Sequence, residues 1–370
     1  MIISKIYLKN YRNYEEQEIC PEEGINVVYG KNAQGKTNLL ESVYVCSSGR
    51  SHRTQKDEVL VREGQTRYDI RIEGKKNKTP FSVSVSYDQE NKKTVRVNQL
   101  RVEKIGQLMG VLNTVIFSPE DLQIIKNGPL ERRRLLDILI SQTRPSYFYL
   151  LQDYARIIRQ KNSILKRSRL DDGLLQVFNE KLAQTGSGIV AQRIEFLKEL
   201  ETHMKQNQGV LSNGREDVSL SYSSSSGAGS WEKDSFYNRL EQEKKNEVKY
   251  AVSLIGPHRD DFIITINGRD IRKYGSQGQQ RSAVLSLKLG EIRIIREKTG
   301  YDPVLLLDDV MSELDVSRRK YLLENIKSRQ VFITSTEKKM YASLNGLFTY
   351  FHVSGGTVEK KEQSPQERLI

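Results

Sequence analysis

Apolar and polar residues trade places from Ile2 to Tyr11, with Ile3, Ile6 and Leu8 as the apolar set, and Asn10-Tyr11-Arg12-Asn13-Tyr14 forms the exit of this first strand. Ile25, Val27 and Val28 make a short buried strand, and after a polar interval Leu39, Leu40, Val43 and Tyr44 return at helical spacing. Between Tyr68 and Asn98 the period is two: Ile70 and Ile72, then Phe81, Val83, Val85 and Tyr87, then Val95 and Val97. Gly74 to Lys78 and Gln89 to Lys93 are the turns of an antiparallel meander appended to the core. Val111 to Phe117 is another strand, stopped by Ser118-Pro119-Glu120-Asp121, which offers a helix N-cap. From residue 130 to about 205 leucines and isoleucines recur at three and four, the pattern of a helical arm, which Pro145 and Gly173 break into pieces of ordinary length. Heptads are not sustained long enough for an extended coiled coil. Ser223 to Ser230 is a flexible surface loop and Trp231 to Val248 a polar helix. Tyr250 to Leu254 and Phe262 to Ile266 are strands, the latter turning at Asn267-Gly268.

The polar interval after Val28 carries chemistry. Gly30-Lys31-Asn32-Ala33-Gln34-Gly35-Lys36-Thr37-Asn38 joins a strand to a helix start, the order a phosphate-binding loop requires. Glycines let successive backbone N–H groups point at phosphate oxygens, and the helix N-terminus adds partial positive charge. Lys36 reaches the β- and γ-phosphates of a nucleotide and Thr37 places its hydroxyl on Mg²⁺. Val304-Leu305-Leu306-Leu307-Asp308-Asp309 supplies the other half: a central parallel strand that delivers two acids at its C-terminal edge. Asp308 is the Mg²⁺ acid, acting through water, and Asp309 stands where a general base for the attacking water is needed. A second glycine-bounded turn, Gly275-Ser276-Gln277-Gly278-Gln279-Gln280, opens another helix, marked by Leu285, Leu287 and Leu289. One nucleotide does not need two seats on one chain. A head-to-tail homodimer, with Ser276 closing over the γ-phosphate held by the partner copy, accounts for both.

Charge narrows the partner class. The 370 residues carry 59 Lys and Arg against 47 Asp and Glu, a net charge of +12. Polyanion partners are favoured, nucleic acid or an anionic membrane surface, beside the plain reading of a solvated basic surface. Ser48 to Arg53, Arg132-Arg133-Arg134, and the row Arg156, Arg159, Lys161, Lys166, Arg167 and Arg169 are the candidate nucleic-acid faces. Two cysteines and four histidines form neither a disulfide framework nor a metal cluster, so the expected metal is the nucleotide's Mg²⁺. No apolar run approaches a membrane span and Met1 opens directly into a strand pattern, so a cytoplasmic protein without a membrane partner is expected.

Ser276-Gln277-Gly278-Gln279-Gln280 resembles an ABC signature, Leu307-Asp308-Asp309 the end of a Walker B strand, and Ser312-Glu313-Leu314-Asp315 a D-loop. Tyr11-Arg12-Asn13-Tyr14, Ser51-His52-Arg53-Thr54, Phe117 to Leu122, Arg132-Arg133-Arg134 and Gly256-Pro257-His258-Arg259-Asp260-Asp261, together with the phosphate loop, resemble the bacterial RecF family of SMC-like ABC-class ATPases. The resemblance runs from Ile3 to about Val353. It implies an α/β fold: an ABC-type P-loop ATPase head with an antiparallel β insert and a helical second lobe. Lobe I spans 1–118 plus 298–370, and lobe II spans 119–297. It further implies ATP-dependent dimerisation, slow hydrolysis, and binding to gapped or single-strand/double-strand junction DNA, in a pathway with RecR, RecO and RecA. Lys36, Asp309 and Ser276 become the catalytic set, Gly278 and Gln279 join the nucleotide contacts, and Arg12 and Asn32 become nucleotide neighbours. Aspartate at 309 in place of glutamate, and Thr334-Ser335-Thr336 where many ABC proteins have a histidine, suit a slow switch. A membrane-transporter ATPase subunit is the alternative; the antiparallel insert and basic arm weigh against it. Residues 35 to 276 leave no room for the long arm of a chromosome-organising protein, and no acidic cluster after Asp309 suggests a fused nuclease.

Overall fold

The computed structural model describes residues 1–167, 171–227, 229, 231–336 and 348–361. The chain divides into two compact units, Met1–Asp121 with Glu291–Ile370, and Leu122–Gly290. These divisions fall a few residues from the 118/119 and 297/298 positions expected above, because α8 (Gln277–Thr299) runs through the second of them.

Unit 1 holds two six-stranded sheets on either side of one helix. The first contains β1 (Ile2–Tyr11), β2 (Tyr14–Ile19), β4 (Arg67–Lys76), β5 (Thr79–Asp88), β6 (Lys92–Val97) and β7 (Leu100–Arg101), in the order β2-β1-β4-β5-β6-β7 and antiparallel throughout. The meander is therefore no appendage: β1 and β2 belong to it. The second contains β3 (Ile25–Tyr29), β8 (Thr114–Phe117), β12 (Val304–Leu307), β13 (Val331–Ser335), β14 (Phe348–Ser354) and β15 (Thr357–Lys361), in the order β15-β14-β3-β13-β12-β8. All neighbours pair in parallel except β14 and β15. Strand β12 is flanked on both sides and wholly buried, which is why its four residues are uniformly branched and apolar.

Helix α1 (Lys36–Ser48) lies against both sheets, and ten of its 13 residues are buried. A helix enclosed all round shows little amphipathic pattern, and Leu39, Leu40, Val43 and Tyr44 were its legible part. The main core gathers Ile6, Leu8, Ile70, Val83, Val28 and Phe332 around it. Short helices α9 (Val310–Glu313) and α10 (Val316–Ile326) follow β12.

Unit 2 is built from α2 (Gln123–Lys126), α3 (Pro129–Thr143), α4 (Pro145–Leu165), α5 (Asp172–Leu211), α6 (Lys233–Tyr250), α7 (Ile271–Tyr274) and a small sheet of β9 (Val218–Ser223), β10 (Asp261–Ile266) and β11 (Arg269–Asp270). Helix α4 begins at Pro145, as expected, but Gly173 breaks nothing. It occupies the first turn of α5, capped by Asp171, whose side chain accepts the Leu174 N–H at 2.9 Å. Glycine is tolerated there because that turn lacks a full set of intrahelical bonds. At 40 residues α5 is about 60 Å long, far beyond an ordinary helix. Tyr250 to Leu254 forms no strand: Tyr250 ends α6, and the N–H groups of Ser253 and Leu254 bond to the side chains of Asn162 (2.8 Å) and Glu247 (3.0 Å) rather than to a neighbouring strand. Within the serine-rich loop Ser225 is anchored. Its hydroxyl donates to Asp260 at 2.6 Å and accepts the Gly256 N–H at 2.9 Å.

Candidate nucleotide-binding site

The phosphate loop leaves β3 at Tyr29 and enters α1 at Lys36. Gly30 (φ +150°) and Gly35 (φ +118°) hold backbone conformations that L side chains rarely adopt. Space forbids a side chain as well. A Cβ on Gly30 would stand 2.3 Å from the Val353 carbonyl oxygen, and one on Gly35 under 3 Å from the Asn13 amide and the Tyr14 hydroxyl. Ala33 also has positive φ (+63°), so the backbone curls at both ends and in the middle. Lys31, Asn32 and Ala33 are exposed at its tip.

Lys36 is 9% exposed, and its ammonium donates to the carbonyls of Gly30 (2.7 Å) and Lys31 (2.8 Å), so it lies folded along the loop's inner wall. Burial lowers its affinity for the proton, and the charges of Asp309 and Asp308 pull the other way. Thr37 donates to an Asp308 carboxylate oxygen at 2.9 Å, and Thr334 donates to the same oxygen at 2.8 Å. Burial raises the Asp308 carboxyl above its usual range, against these two hydroxyls. A carboxylate 7% exposed, held by two neutral donors and with no cation in ion-pair distance among the described residues, has the donor set for a divalent cation.

Asp309 begins α9 with a left-handed backbone (φ +52°) and an exposed side chain. Its N–H donates to Thr334 at 2.8 Å. Thr334 thus ties the two acids together, accepting from one and donating to the other. Sequence reasoning saw at that position only the missing histidine.

Two sequence blocks to which no geometry was assigned brace the loop from behind. Asn13 donates to the Gln34 carbonyl at 2.7 Å and accepts from Asn38 at 2.9 Å, and Tyr14 donates to the Gly35 carbonyl at 2.8 Å. The Asn38 oxygen takes a bond from Arg53 at 3.0 Å. Arg12, expected beside nucleotide, forks onto the fully buried Glu41 (2.9 and 2.8 Å), and Ser51 adds a 2.5 Å bond. Burial alone would raise the Glu41 carboxyl, yet the hydrogen bonds from Arg12 and Ser51 hold it below its ordinary value. Glu41 in the middle of an apolar helix was the available signal, since a buried acid requires partners.

In unit 2, Ser276 precedes α8 and forms a reciprocal cap: Gln279 N–H donates to its hydroxyl at 3.2 Å, and its own N–H donates to the Gln279 side chain at 2.9 Å. Ser276 and Gln277 are exposed and Gly278 half-buried, so the turn presents its polar groups to solvent.

The basic residues expected to face nucleic acid divide. Arg132, 5% exposed, forks onto Asp261 at 2.7 and 2.8 Å, and Arg133 donates to the Asp260 carbonyl at 2.7 Å. Lys161 is fully buried against Glu247 at 2.5 Å. These three hold unit 2 together. Arg156, Arg159, Lys166 and Arg167 are exposed, and Arg169 lies outside the described residues. The Gly256 to Asp261 block is the other half of this network. Asp260 accepts from Tyr222 (2.7 Å) and Ser225, while Arg193 bonds Asp137, Tyr147 and the Pro257 carbonyl.

His258 in that block sits between the Tyr154 hydroxyl (Nδ1, 2.9 Å) and the Ser253 carbonyl (Nε2, 3.3 Å), an arrangement for the neutral ring donating through Nε2. Burial, the largest influence, lowers its pKa from 6.5 to about 4. Between those values the unfolded chain binds a proton that the folded chain refuses. The stability contributed is therefore complete above pH 6.5 and declines as pH falls toward 4. His258→Gln is expected to lose about 2 kcal/mol less than the wild type between pH 7.5 and pH 5, read from urea unfolding. Equal losses in the two proteins would refute the assignment.

Residues 2–359 match the RecF/RecN/SMC N terminal domain. The chain is 44% identical over 365 residues to the DNA replication and repair protein RecF of Acetivibrio thermocellus, covering 96% of this chain and 99% of that protein. This chain belongs to the RecF family. The RecF of Ruminiclostridium cellulolyticum is 41% identical over 368 residues, covering 97% and 99% of the two chains. A solved structure of the recombination mediator protein RecF with ATPrS, described within the RecFOR pathway, is 38% identical and superposes with a TM-score of 0.91 over 98% of both chains. An Smc head bound to the C-winged helix domain of ScpA, at 15% identity and a TM-score of 0.57 over the full length of both chains, shares the fold alone. The α/β ATPase-head architecture read from the sequence is thus the architecture of RecF and SMC heads. No described helix is long and apolar enough to cross a membrane.

Proposed function

We propose that the protein is an ATP-dependent DNA-binding switch of recombinational repair, which dimerises on ATP, recognises gapped or single-strand/double-strand junction DNA and assists RecA loading with RecO and RecR. The observation that carries the nucleotide half is the Thr37–Asp308 hydrogen bond of 2.9 Å at the mouth of a glycine-bounded loop. The names of the relatives support the repair half and do not favour a transporter subunit.

Gly30 to Gly35 bind phosphate through backbone N–H groups. Lys36, whose present acceptors are only carbonyls, turns its ammonium to the terminal phosphates. Thr37 and Asp308 would hold Mg²⁺, which neutralises developing charge on the phosphates when bound. Asp309, exposed and positioned by Thr334, orients the attacking water and accepts its proton. Its short side chain favours slow turnover. Ser276 and the α8 N-terminus close over the γ-phosphate of the partner copy, so nucleotide sets the dimer population.

Sedimentation with and without ATP and Mg²⁺ tests this reading. The wild type is expected to pass from monomer to dimer, and Lys36→Arg and Ser276→Arg to remain monomeric, with gapped-DNA affinity following the dimer. A wild type that stays monomeric with ATP bound, or a Ser276→Arg protein that dimerises normally, overturns it.

A further inference from the structure

The first sheet presents a solvent face that no part of the nucleotide site uses. One line of directly opposed residues crosses five of its strands. Tyr7 on β1 faces Arg71 on β4, Arg71 faces Ser84 on β5, Ser84 faces Arg96 on β6, and Arg96 faces Arg101 on β7. Opposed residues in an antiparallel ladder point to the same side, and the alternating residues Ile6, Ile70, Val83 and Val95 are buried in the core. The line therefore lies outward.

Arg71, Arg96 and Arg101 are all exposed. Among the described residues none of the three has a carboxylate in ion-pair distance; Arg71 lies over the Tyr7 ring at 5.7 Å, with Asp69 and Glu73 two residues away on either side along β4. By contrast, the β1–β2 edge of the same face is neutralised by Lys5–Glu18 and Lys9–Glu16 pairs. Like charges directly opposed, as at Arg96 and Arg101, destabilise a sheet, so something other than the fold accounts for them. Between the arginines of β4 and β6 runs a column of short hydroxyls, Ser82, Ser84 and Ser86.

We propose that this face is a phosphate-backbone contact for duplex DNA. The proposal rests on the DNA-binding reading above and locates it away from Arg132, Arg133 and Lys161. Four strands at about 4.8 Å spacing set Arg71 and Arg101 about 14 Å apart. A duplex carries one charge per about 1.7 Å of axis, so several phosphates fall within reach of that line. An acidic protein surface intersperses both signs and would meet the opposed Arg96 and Arg101 less well. The serine column lets a backbone approach the sheet closely and donates to phosphate oxygens, and no base edge is read.

The test is fluorescence anisotropy of a labelled 40-base-pair duplex with ATP and Mg²⁺ over a salt series, using wild type, Arg96→Gln/Arg101→Gln and Arg96→Lys/Arg101→Lys. The glutamine variant is expected to bind at least tenfold more weakly, with the slope of log K against log salt smaller by about 2. The lysine variant should keep the slope. Sedimentation with ATP should match the wild type in both. Wild-type affinity and slope in the glutamine variant overturn the proposal and leave the face to an acidic protein. A wild type without ATP-dependent DNA affinity refutes the functional reading itself.

Discussion

Asp308→Asn is expected to abolish the Mg²⁺ dependence of nucleotide binding and to lower ATP hydrolysis at least about 100-fold, roughly 3 kcal/mol of transition-state stabilisation. Asparagine keeps an oxygen where Thr37 and Thr334 donate, at 2.9 and 2.8 Å, so the loop's shape survives. What disappears is the buried negative charge. Titrating a fluorescent ATP analogue with and without Mg²⁺ separates the effects: affinity without the cation should stay within about twofold of wild type. A variant that still tightens on adding Mg²⁺ would move the cation to another carboxylate.

The largest stability effect belongs to the other unit. Lys161 and Glu247 meet at 2.5 Å with both side chains fully buried, and burial lowers the proton affinity of the lysine. Glu247→Ala would strand an ammonium in the core and leave the Leu254 N–H without its 3.0 Å acceptor. About 3–5 kcal/mol of unfolding free energy should be lost. Lys161→Met/Glu247→Leu removes both charges and keeps the volume, so it should recover at least about 2 kcal/mol of that loss, short of wild type by the one unsatisfied N–H. Urea unfolding of the three proteins decides the matter. A double variant as unstable as Glu247→Ala would mean that packing, not stranded charge, sets the cost.

Some of this was legible in the residues. Gly30 and Gly35 could be read because their backbone conformations and the atoms crowding them admit nothing larger. Strand β12 could be read because burial on both faces demands an unbroken apolar run. The charged residues were not readable in the same way. Arg132 and Lys161 looked like surface cations because their partners, Asp261 and Glu247, stand 129 and 86 residues further along the chain, and no local pattern reports such a pairing. Tyr250 to Leu254 imitated a strand because its N–H groups are satisfied without a neighbouring strand, those of Ala251 and Val252 by α6 carbonyls and those of Ser253 and Leu254 by side chains, which periodicity does not register. The length of α5 was hidden by treating a first-turn glycine as a break.

The order β14-β3-β13 sets a schedule for synthesis. Strand β3, which feeds the phosphate loop, bonds on one side to β13 and on the other to β14, made about 300 residues later. At 5–20 residues per second, Ile25 to Tyr29 wait about 15 to 60 seconds for their neighbours, while unit 2 emerges whole in between. During that interval both edges of an apolar strand are open to pairing with other nascent chains. A message truncated before residue 331 would produce a polypeptide whose second unit can mature and whose ATPase sheet never closes. Strands β13 and β14, the late-made partners of β3, therefore decide whether a ribosome releases a closed ATPase head or an aggregation seed.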